Sequence, residues 1–189
     1  MNTFDPISHI YRIDGVVVPS VTQVLVAEGF IDATWFTEYS RDKGINKHLT
    51  IHYYETDQLD EENLDPVLKN TLDAWKAFKL DTGFVVSASE TPLYSAQYRF
   101  AGTPDILGTF RDTTPAIIDF KGQVVSPWVG LQLAAQEILE GTHGRKRFAL
   151  QLMDTGKYKL HLFTDRQDRN IFMAALSIHH WKRNHVKKG

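Results

Sequence analysis

The chain has 189 residues, of which 21 are Lys or Arg and 23 are Asp or Glu, and it has no cysteine. This length suits one domain, and the lack of cysteine excludes a disulfide framework, a thiolate zinc site, a cysteine-ligated iron–sulfur cluster and a cysteine nucleophile. No apolar run approaches the roughly 18 residues of a membrane helix, and Asp5 and His9 interrupt the segment where a signal peptide would begin. We therefore expect a cytoplasmic protein that binds no membrane.

The net charge of −2 is unevenly distributed along the chain. Residues 1–140 carry 10 basic and 20 acidic side chains, whereas residues 141–189 carry 11 basic and 3 acidic ones. Such an asymmetry is typical of a surface that binds a polyanion, and also of a well-solvated last helix with a basic tail. Taken alone, the asymmetry favours the solvated helix.

The first part of the chain predicts a hairpin followed by three helices. An Asp-Gly turn at 14–15 lies between short apolar runs, and Ser20 is placed to cap a short helix over 21–28. Longer helices are predicted over 34–54 and 65–80, with an acidic loop between them. The expected apolar side of the first long helix consists of Trp35, Tyr39, Ile45, Leu49 and Tyr53. We expect three tryptophans with helical core spacing to pack inside, namely Trp35, Trp75 and Trp181.

From Gly83 onward the pattern predicts short strands. The expected strands cover 84–90, 94–101, 105–110, 116–120, 148–153 and 158–163. A helix over 127–140 separates the fourth strand from the fifth, and a last helix begins near 165 and runs past Trp181. A strand, helix and strand in succession normally join parallel neighbours, so we expect an α/β fold with a mixed central sheet and helices on both faces.

The same pattern predicts a single domain over 1–189. Its parts would be an N-terminal hairpin with helices over 1–82, a sheet with its crossover helix over 83–163, and a basic C-terminal helix over 164–189.

Ionisable side chains leave the end of one apolar strand. Asp119 and Lys121 are two residues apart and share a strand face, where burial is costly unless they are paired. Asp105 begins the neighbouring strand and is expected to lie beside Asp119, and two converging carboxylates repel each other unless a divalent cation lies between them. Mg²⁺ prefers such oxygen ligands together with a main-chain carbonyl such as that of Phe120. The set indicates metal-assisted hydrolysis of a phosphodiester with Lys121 beside the attacking water, and its alternative is an ordinary surface ion pair.

Three pieces of sequence occur in a characteristic order: Pro104-Asp105, then Asp119-Phe120-Lys121 after 13 intervening residues, then Gln132 in the following helix. This order resembles the PD-(D/E)xK nuclease superfamily, in particular its RecB-like and phage exonuclease branch. The resemblance implies a restriction-endonuclease-like core and a DNA nuclease dependent on Mg²⁺ or Mn²⁺. By the resemblance Asp105, Asp119 and the Phe120 carbonyl hold the metal, and Lys121 is the catalytic lysine.

The resemblance also extends upstream of the strands. Glu90 matches an acidic residue that such exonucleases place near the same metal, and its alternative is a solubilising charge on an edge strand. His48, in Gly44-Ile-Asn-Lys-His48, is similar to a helical Gly-x-x-x-His motif whose histidine joins the metal ligands, although a single helical histidine is usually just solvated. His52 follows one turn later, but no glutamate completes a His-Glu-x-x-His zinc motif.

Four residues are predicted to contact DNA. Ser20-Val-Thr22 resembles the opening of such phage proteins, where hydroxyls and amides at a helix start bind phosphate, and plain capping explains Ser20 equally well. Gln132 and Gln136 share a helix face, with solvent exposure as the alternative. The family pattern is Gln-x-x-x-Tyr, so Gln136 departs from it and Gln132 is the better candidate.

The resemblance implies an exonuclease of a phage or prophage recombination system in the cytoplasm of a bacterial host, with DNA and a single-strand annealing protein as partners. No Walker A sequence is present, so no ATP-driven motor is built in. Two alternatives stay open: a structure-specific endonuclease or junction resolvase on the same core, and a non-catalytic nucleic-acid-binding module. The complete set of Glu90, Asp105, Asp119 and Lys121 argues against the second.

Overall fold

A five-stranded mixed sheet forms the centre of this computed structural model, which describes residues 1–32, 34, 38–122, 124–142 and 144–186. The strands are β1 Asn2–Asp5, β2 Ile10–Ile13, β3 Val16–Val18, β4 Val85–Ser89, β5 Leu93–Ser95, β6 Phe100–Gly102, β7 Ile106–Thr109, β8 Pro115–Lys121, β9 Lys146–Leu152 and β10 Tyr158–Phe163. The helices are α1 Val21–Ala27, α2 Glu38–Glu55, α3 Pro66–Thr82, α4 Trp128–Glu140 and α5 Gln167–His185. None of these helices is both long and apolar enough to cross a bilayer.

The strand order in the central sheet is β10-β9-β8-β7-β4. The neighbours β4 and β7, β7 and β8, and β9 and β10 are antiparallel, whereas β8 and β9 are parallel and are connected through α4. The predicted crossover between parallel neighbours is therefore confirmed. Smaller sheets accompany this one, a β1-β2-β3 meander and a β5-β6 hairpin.

Helices cover both faces of the central sheet. On one face Trp75 and Phe78 of α3 pack with Ile118 and Phe120 of β8. On the other face Leu133 of α4 packs against the alternate β8 residue Ile117, and α1 and α5 pack outside α4. The predicted fold class, a mixed α/β sheet with helices on both faces, is confirmed.

Local signals explain where two of the helices begin. The Ser20 hydroxyl accepts a hydrogen bond from the Gln23 amide and the Gln23 side chain accepts one from the Ser20 amide, which forms a capping box at the start of α1. Asp65 caps α3 through the Val67 amide, with Pro66 in the first turn. Both starts agree with the sequence prediction.

A buried ion pair fastens α5 to the sheet. The guanidinium of Arg147 in β9 lies 3.0 Å from Asp168 Oδ2 and also donates hydrogen bonds to the carbonyls of Gly130 and Asp165. Gly130 is needed at this point, because a Cβ there would lie 2.6 Å from Asp168 Oδ2. The absence of a side chain thus lets α4 approach the pair closely.

The structure corrects three of the sequence predictions. The segment 94–101 is not one strand, because a turn between β5 and β6 folds it into a hairpin. Trp181 is exposed on α5, whereas Trp75 is fully buried as predicted. Trp35 lies outside the described residues.

The third correction concerns the inward face of α2. The predicted apolar side is exposed at Ile45, Leu49 and Tyr53, and the helix instead buries Lys47, Thr50 and Ile51. The side chain of Tyr39 lies outside the described part of the structure. The reason is that the middle of α2 covers a polar end of the sheet, where Lys47 contacts Asp154 and His48 contacts Asp105, so its inward face there carries polar groups.

Candidate functional site

The two aspartates of the predicted site lie side by side. Ile106 in β7 pairs with Ile118 in β8, so Asp105, directly before β7, comes next to Asp119. The Phe120 amide donates a 2.6 Å hydrogen bond to Asp105 Oδ2. Both aspartates are buried, with 6% and 1% of their surfaces exposed. The antiparallel pairing of β7 and β8 thus brings together carboxylates that are 14 positions apart in the sequence.

A histidine and a glutamate complete a group of candidate metal ligands around Asp105. His48 Nδ1 lies 3.4 Å from Asp105 Oδ1 and 3.6 Å from Glu90 Oε1. One donor atom from each of these three residues lies within 4.8 Å of the others. The Glu90 amide donates to the Asp105 carbonyl, and Glu90 has a left-handed φ of 48°, which costs backbone energy in a residue other than glycine.

Asp119 and Lys121 form a second group next to these ligands. Lys121 Nζ lies 2.5 Å from Asp119 Oδ2, and Gln132 Nε2 on α4 donates a 2.6 Å hydrogen bond to Asp119 Oδ1. Lys121 Nζ also donates to Gln132 Oε1 at 3.3 Å and lies 5.0 Å from the centre of the Trp128 ring. The lysine ammonium is thereby held by a carboxylate, an amide and an aromatic face, and the surface-pair alternative does not describe it.

Burial and mutual repulsion perturb the acid–base behaviour of these groups. Burial raises the pKa of Asp119 to about 6, with Lys121 opposing the rise and Asp105 adding to it. Burial likewise raises the pKa of Glu90. Burial alone would lower the pKa of His48, but the carboxylates of Asp105 and Glu90 outweigh it and raise this pKa to about 10. The pKa of Asp105 lies below its ordinary value, because His48 and Lys121 outweigh its burial.

The donor set fits a divalent cation. Two carboxylates and an imidazole meet within one small volume, and a third carboxylate, that of Asp119, lies beside them. Clustered carboxylates are costly without a compensating cation, and oxygen ligands suit Mg²⁺ or Mn²⁺. The described residues that would hold such an ion are His48, Glu90 and Asp105. Asp119 and the Phe120 carbonyl stay predicted ligands.

The site opens into a cleft of about 1070 Å³ that contains His48, Phe120 and Lys121. Lys47 also lies on the cleft wall, where its ammonium donates to Asp154 Oδ1 at 2.7 Å and to the Leu152 carbonyl at 3.2 Å. The cleft therefore combines the ionisable groups with space for a substrate.

The residues predicted to contact DNA differ in how exposed their side chains are. Ser20 is buried at the start of α1 with its hydroxyl in the capping box, whereas Thr22 is exposed on the same helix. Gln136 is 2% exposed, so it is not a solvent-facing amide and has no surface from which to contact a phosphate. Gln132 is half-buried at Asp119 and is therefore the more accessible of the two amides.

His52 makes a 3.0 Å hydrogen bond with the hydroxyl of Ser89, the residue directly before Glu90. Among the described residues it belongs to no metal-like cluster.

Sequence reasoning missed three residues that support the site. Tyr11 makes a 2.8 Å hydrogen bond with Thr103, two residues before Asp105, and so ties the N-terminal meander to the site. Lys47 and Trp128 line the cleft, and the sequence motifs do not mark either of them. The helical spacing of Gly44, Lys47 and His48 was the available signal for Lys47, because residues three and four apart share a face.

The metal-free protein is expected to lose thermal stability as the pH rises from about 6.5 to 10. The folded-state pKa of His48, about 10, exceeds its unfolded value near 6.5, so the stabilisation by its charge is complete below that value and is lost through pH 10. Mn²⁺ should raise the melting temperature more at high pH, since the ion must displace this proton. Thermal unfolding followed by circular dichroism, in EDTA and in Mn²⁺, measures both effects.

His48→Gln should remove this pH-dependent component, whereas His185→Gln, on the exposed end of α5, should follow the parent curve. A constant difference between parent and His48→Gln over this pH range would contradict the assignment.

No protein family model and no curated protein sequence matches this chain. Among solved structures, an alkaline exonuclease from Laribacter hongkongensis, LHK-Exo, is similar with 15% identity and a TM-score of 0.41, over 87% of this chain and 91% of that one. LHK-Exo in complex with dAMP gives 16% identity and a TM-score of 0.31, over 88% and 92% of the two chains. The protein SSO0001 gives 10% identity and a TM-score of 0.38, over 73% and 72%. At these low scores no activity is transferred from those proteins to this chain.

Proposed function

We propose that this protein is a metal-dependent nuclease that hydrolyses DNA phosphodiester bonds. The observation that carries the proposal is the meeting of His48, Glu90 and Asp105 with the Asp119–Lys121 pair at one end of the sheet. These residues come from separate segments of the chain, and two of them, His48 and Lys121, line the cleft. A purely structural ion pair would need neither the histidine nor the surplus of carboxylates.

Each residue has a distinct part in the proposed reaction. A divalent cation at His48, Glu90 and Asp105 would supply Lewis-acid activation of the phosphodiester. Lys121 would orient the attacking water through a hydrogen bond donated by its ammonium. Asp119 and Gln132 fix the position of that ammonium through their contacts with it and with each other.

An exonuclease is the form of this activity that we propose. The open cleft can receive a strand end, and the order of motifs in the sequence resembles phage-type exonucleases. The recombination role, the cytoplasmic location and a single-strand annealing protein as partner stay predictions from that resemblance.

Cleavage of end-labelled linear duplex DNA and of covalently closed circles of the same sequence tests this proposal. With Mg²⁺ or Mn²⁺ we expect shortening of the linear DNA from an end, intact circles, and no product in EDTA. Linearised circles would indicate the endonuclease or resolvase alternative. No cleavage of either DNA, together with no heat of Mg²⁺ or Mn²⁺ binding in calorimetry, would favour a non-catalytic binding module.

A further inference from the structure

A second concave site lies at the opposite end of the central sheet. It is a cavity of about 730 Å³ between the start of β9, the end of β10 and the first turn of α5. Its charged lining residues among those described are Glu137, Arg145, Lys146, Arg147, Arg166 and Arg169. In the parallel β8–β9 ladder Lys146 pairs with Ala116 and Gln151 with Lys121, so the cavity lies five strand residues, about 16 Å, from the catalytic end.

Two of the arginines are neutralised within the fold. Arg145 lies 2.8 Å from Glu140, and Arg147 pairs with Asp168 at 3.0 Å. Within the described ranges Lys146 and Arg166 have no carboxylate at ion-pair distance, and both are exposed. The rim of the cavity therefore carries the positive charges of Lys146 and Arg166, which no ion pair among the described residues neutralises.

The start of α5 also favours an anionic ligand. The cavity includes Arg166 and Arg169 at the start of this 19-residue helix, whose N-terminal dipole adds partial positive charge. The cavity thus combines the exposed charges of Lys146 and Arg166 with the positive end of a helix dipole.

The edge strand β10 connects this cavity with the cleft. In the ladders, Lys159 pairs with Gln151 and His161 with Ala149, which in turn pair with Lys121 and Asp119. Ladder partners face the same side of a sheet, so Lys159 and His161 share a face with the catalytic pair. Lysine on an edge strand also prevents pairing with other chains, but that role does not require a basic cavity where the strand ends.

We propose that this cavity binds backbone phosphates of a DNA strand whose end occupies the cleft, with the strand following β10 between the two. The proposal rests on the proposed nuclease function. A strand of a duplex advances about 3.4 Å per nucleotide and an extended single strand advances more, so the 16 Å separation corresponds to at most about five nucleotides. The cavity should therefore contribute to binding only when the DNA is longer than this distance.

Fluorescence anisotropy with single-stranded DNA of about 2 and about 20 nucleotides tests the length dependence. Asp119→Asn serves as the non-cleaving background, in Mg²⁺. The test variant adds Lys146→Ala and Arg166→Ala, and the matched control adds Lys69→Ala on α3 and Arg183→Ala near the end of α5, both exposed and away from the cavity. Both doubles remove two positive charges, so they differ only in location.

We expect the test variant to bind the long strand about tenfold more weakly or worse, with a salt dependence reduced by about one to two ions. The short strand should be bound within about twofold of the background, and the control should bind both strands like the background.

Equal weakening of binding for both lengths of DNA would overturn the proposal. Unchanged binding of the long strand would also overturn it, and an acidic protein segment would then be the ligand type that fits the cavity. If the Asp119→Asn background itself bound neither DNA, the proposed function would fail together with this inference. Failure of the proposed function therefore shows in the Asp119→Asn background, whereas failure of this inference alone shows only in the Lys146→Ala and Arg166→Ala variant.

Discussion

Lys121→Met is expected to reduce DNA cleavage by about 10²–10⁴-fold, because the substitution removes the ammonium placed to act on the attacking water. Methionine preserves an unbranched side chain beside Trp128, so the packing of the cleft wall is retained. Single-turnover cleavage of end-labelled linear DNA in Mg²⁺ measures the loss. Lys69→Met, an exposed lysine on α3, is the matched control and should cleave like the parent.

Loss of folding must be separated from loss of catalysis in this variant. Removal of Lys121 leaves the buried carboxylate of Asp119 without its ion-pair partner, which destabilises a protein by up to about 3–5 kcal/mol. The double variant Asp119→Asn/Lys121→Met removes both charges and should recover most of the melting temperature without recovering cleavage. Recovery of cleavage in the double variant, or parental cleavage by Lys121→Met, would contradict the catalytic assignment.

Trp75→Ala is expected to destabilise the protein by about 3–5 kcal/mol and to lower its melting temperature by about 10 °C or more. Trp75 is fully buried, its ring packs on Phe78 and Phe120, and its indole Nε1 donates a 2.6 Å hydrogen bond to Glu55. Truncation would leave a large cavity between α3 and the sheet. Denaturant unfolding followed by circular dichroism measures the change in unfolding free energy.

Trp181→Ala is the control, because Trp181 is 59% exposed and should change the unfolding free energy by less than about 0.5 kcal/mol. An effect of Trp75→Ala as small as that of the control would contradict the assigned core. The packing also reaches the site, since Phe120 contacts both Trp75 and the ring of His48. We therefore expect Trp75→Ala to weaken Mn²⁺ binding even under conditions in which it remains folded.

The helix and strand order could be predicted because each element carries its own local signal. The Asp-Gly turn produced the β2–β3 hairpin, and Asp65 with Pro66 produced the start of α3. Asp119 and Lys121 could be placed on one face because strand side chains alternate in any environment. These rules depend only on neighbours in the sequence.

The orientation of α2 could not be predicted in this way. Its sequence offers one stripe with Ile45, Leu49 and Tyr53 and another with Lys47 and His48, and hydrophobicity alone selects the first. The structure turns the second stripe inward, because the middle of the helix meets Asp105 and Glu90 rather than an apolar surface. A periodicity rule has no information about what lies opposite a helix.

The sequence by itself determined the order of the elements, the alternation of β8 and the residue types that a metal-dependent hydrolase needs. Only the tertiary structure decided which residues meet and which are buried: His48 lies with Glu90 and Asp105, Gln132 donates a hydrogen bond to Asp119, and Gln136 is buried. The physical reason is that these arrangements join different helices and strands. The distances between those elements are set by strand register and helix packing, which local propensity and residue spacing do not encode.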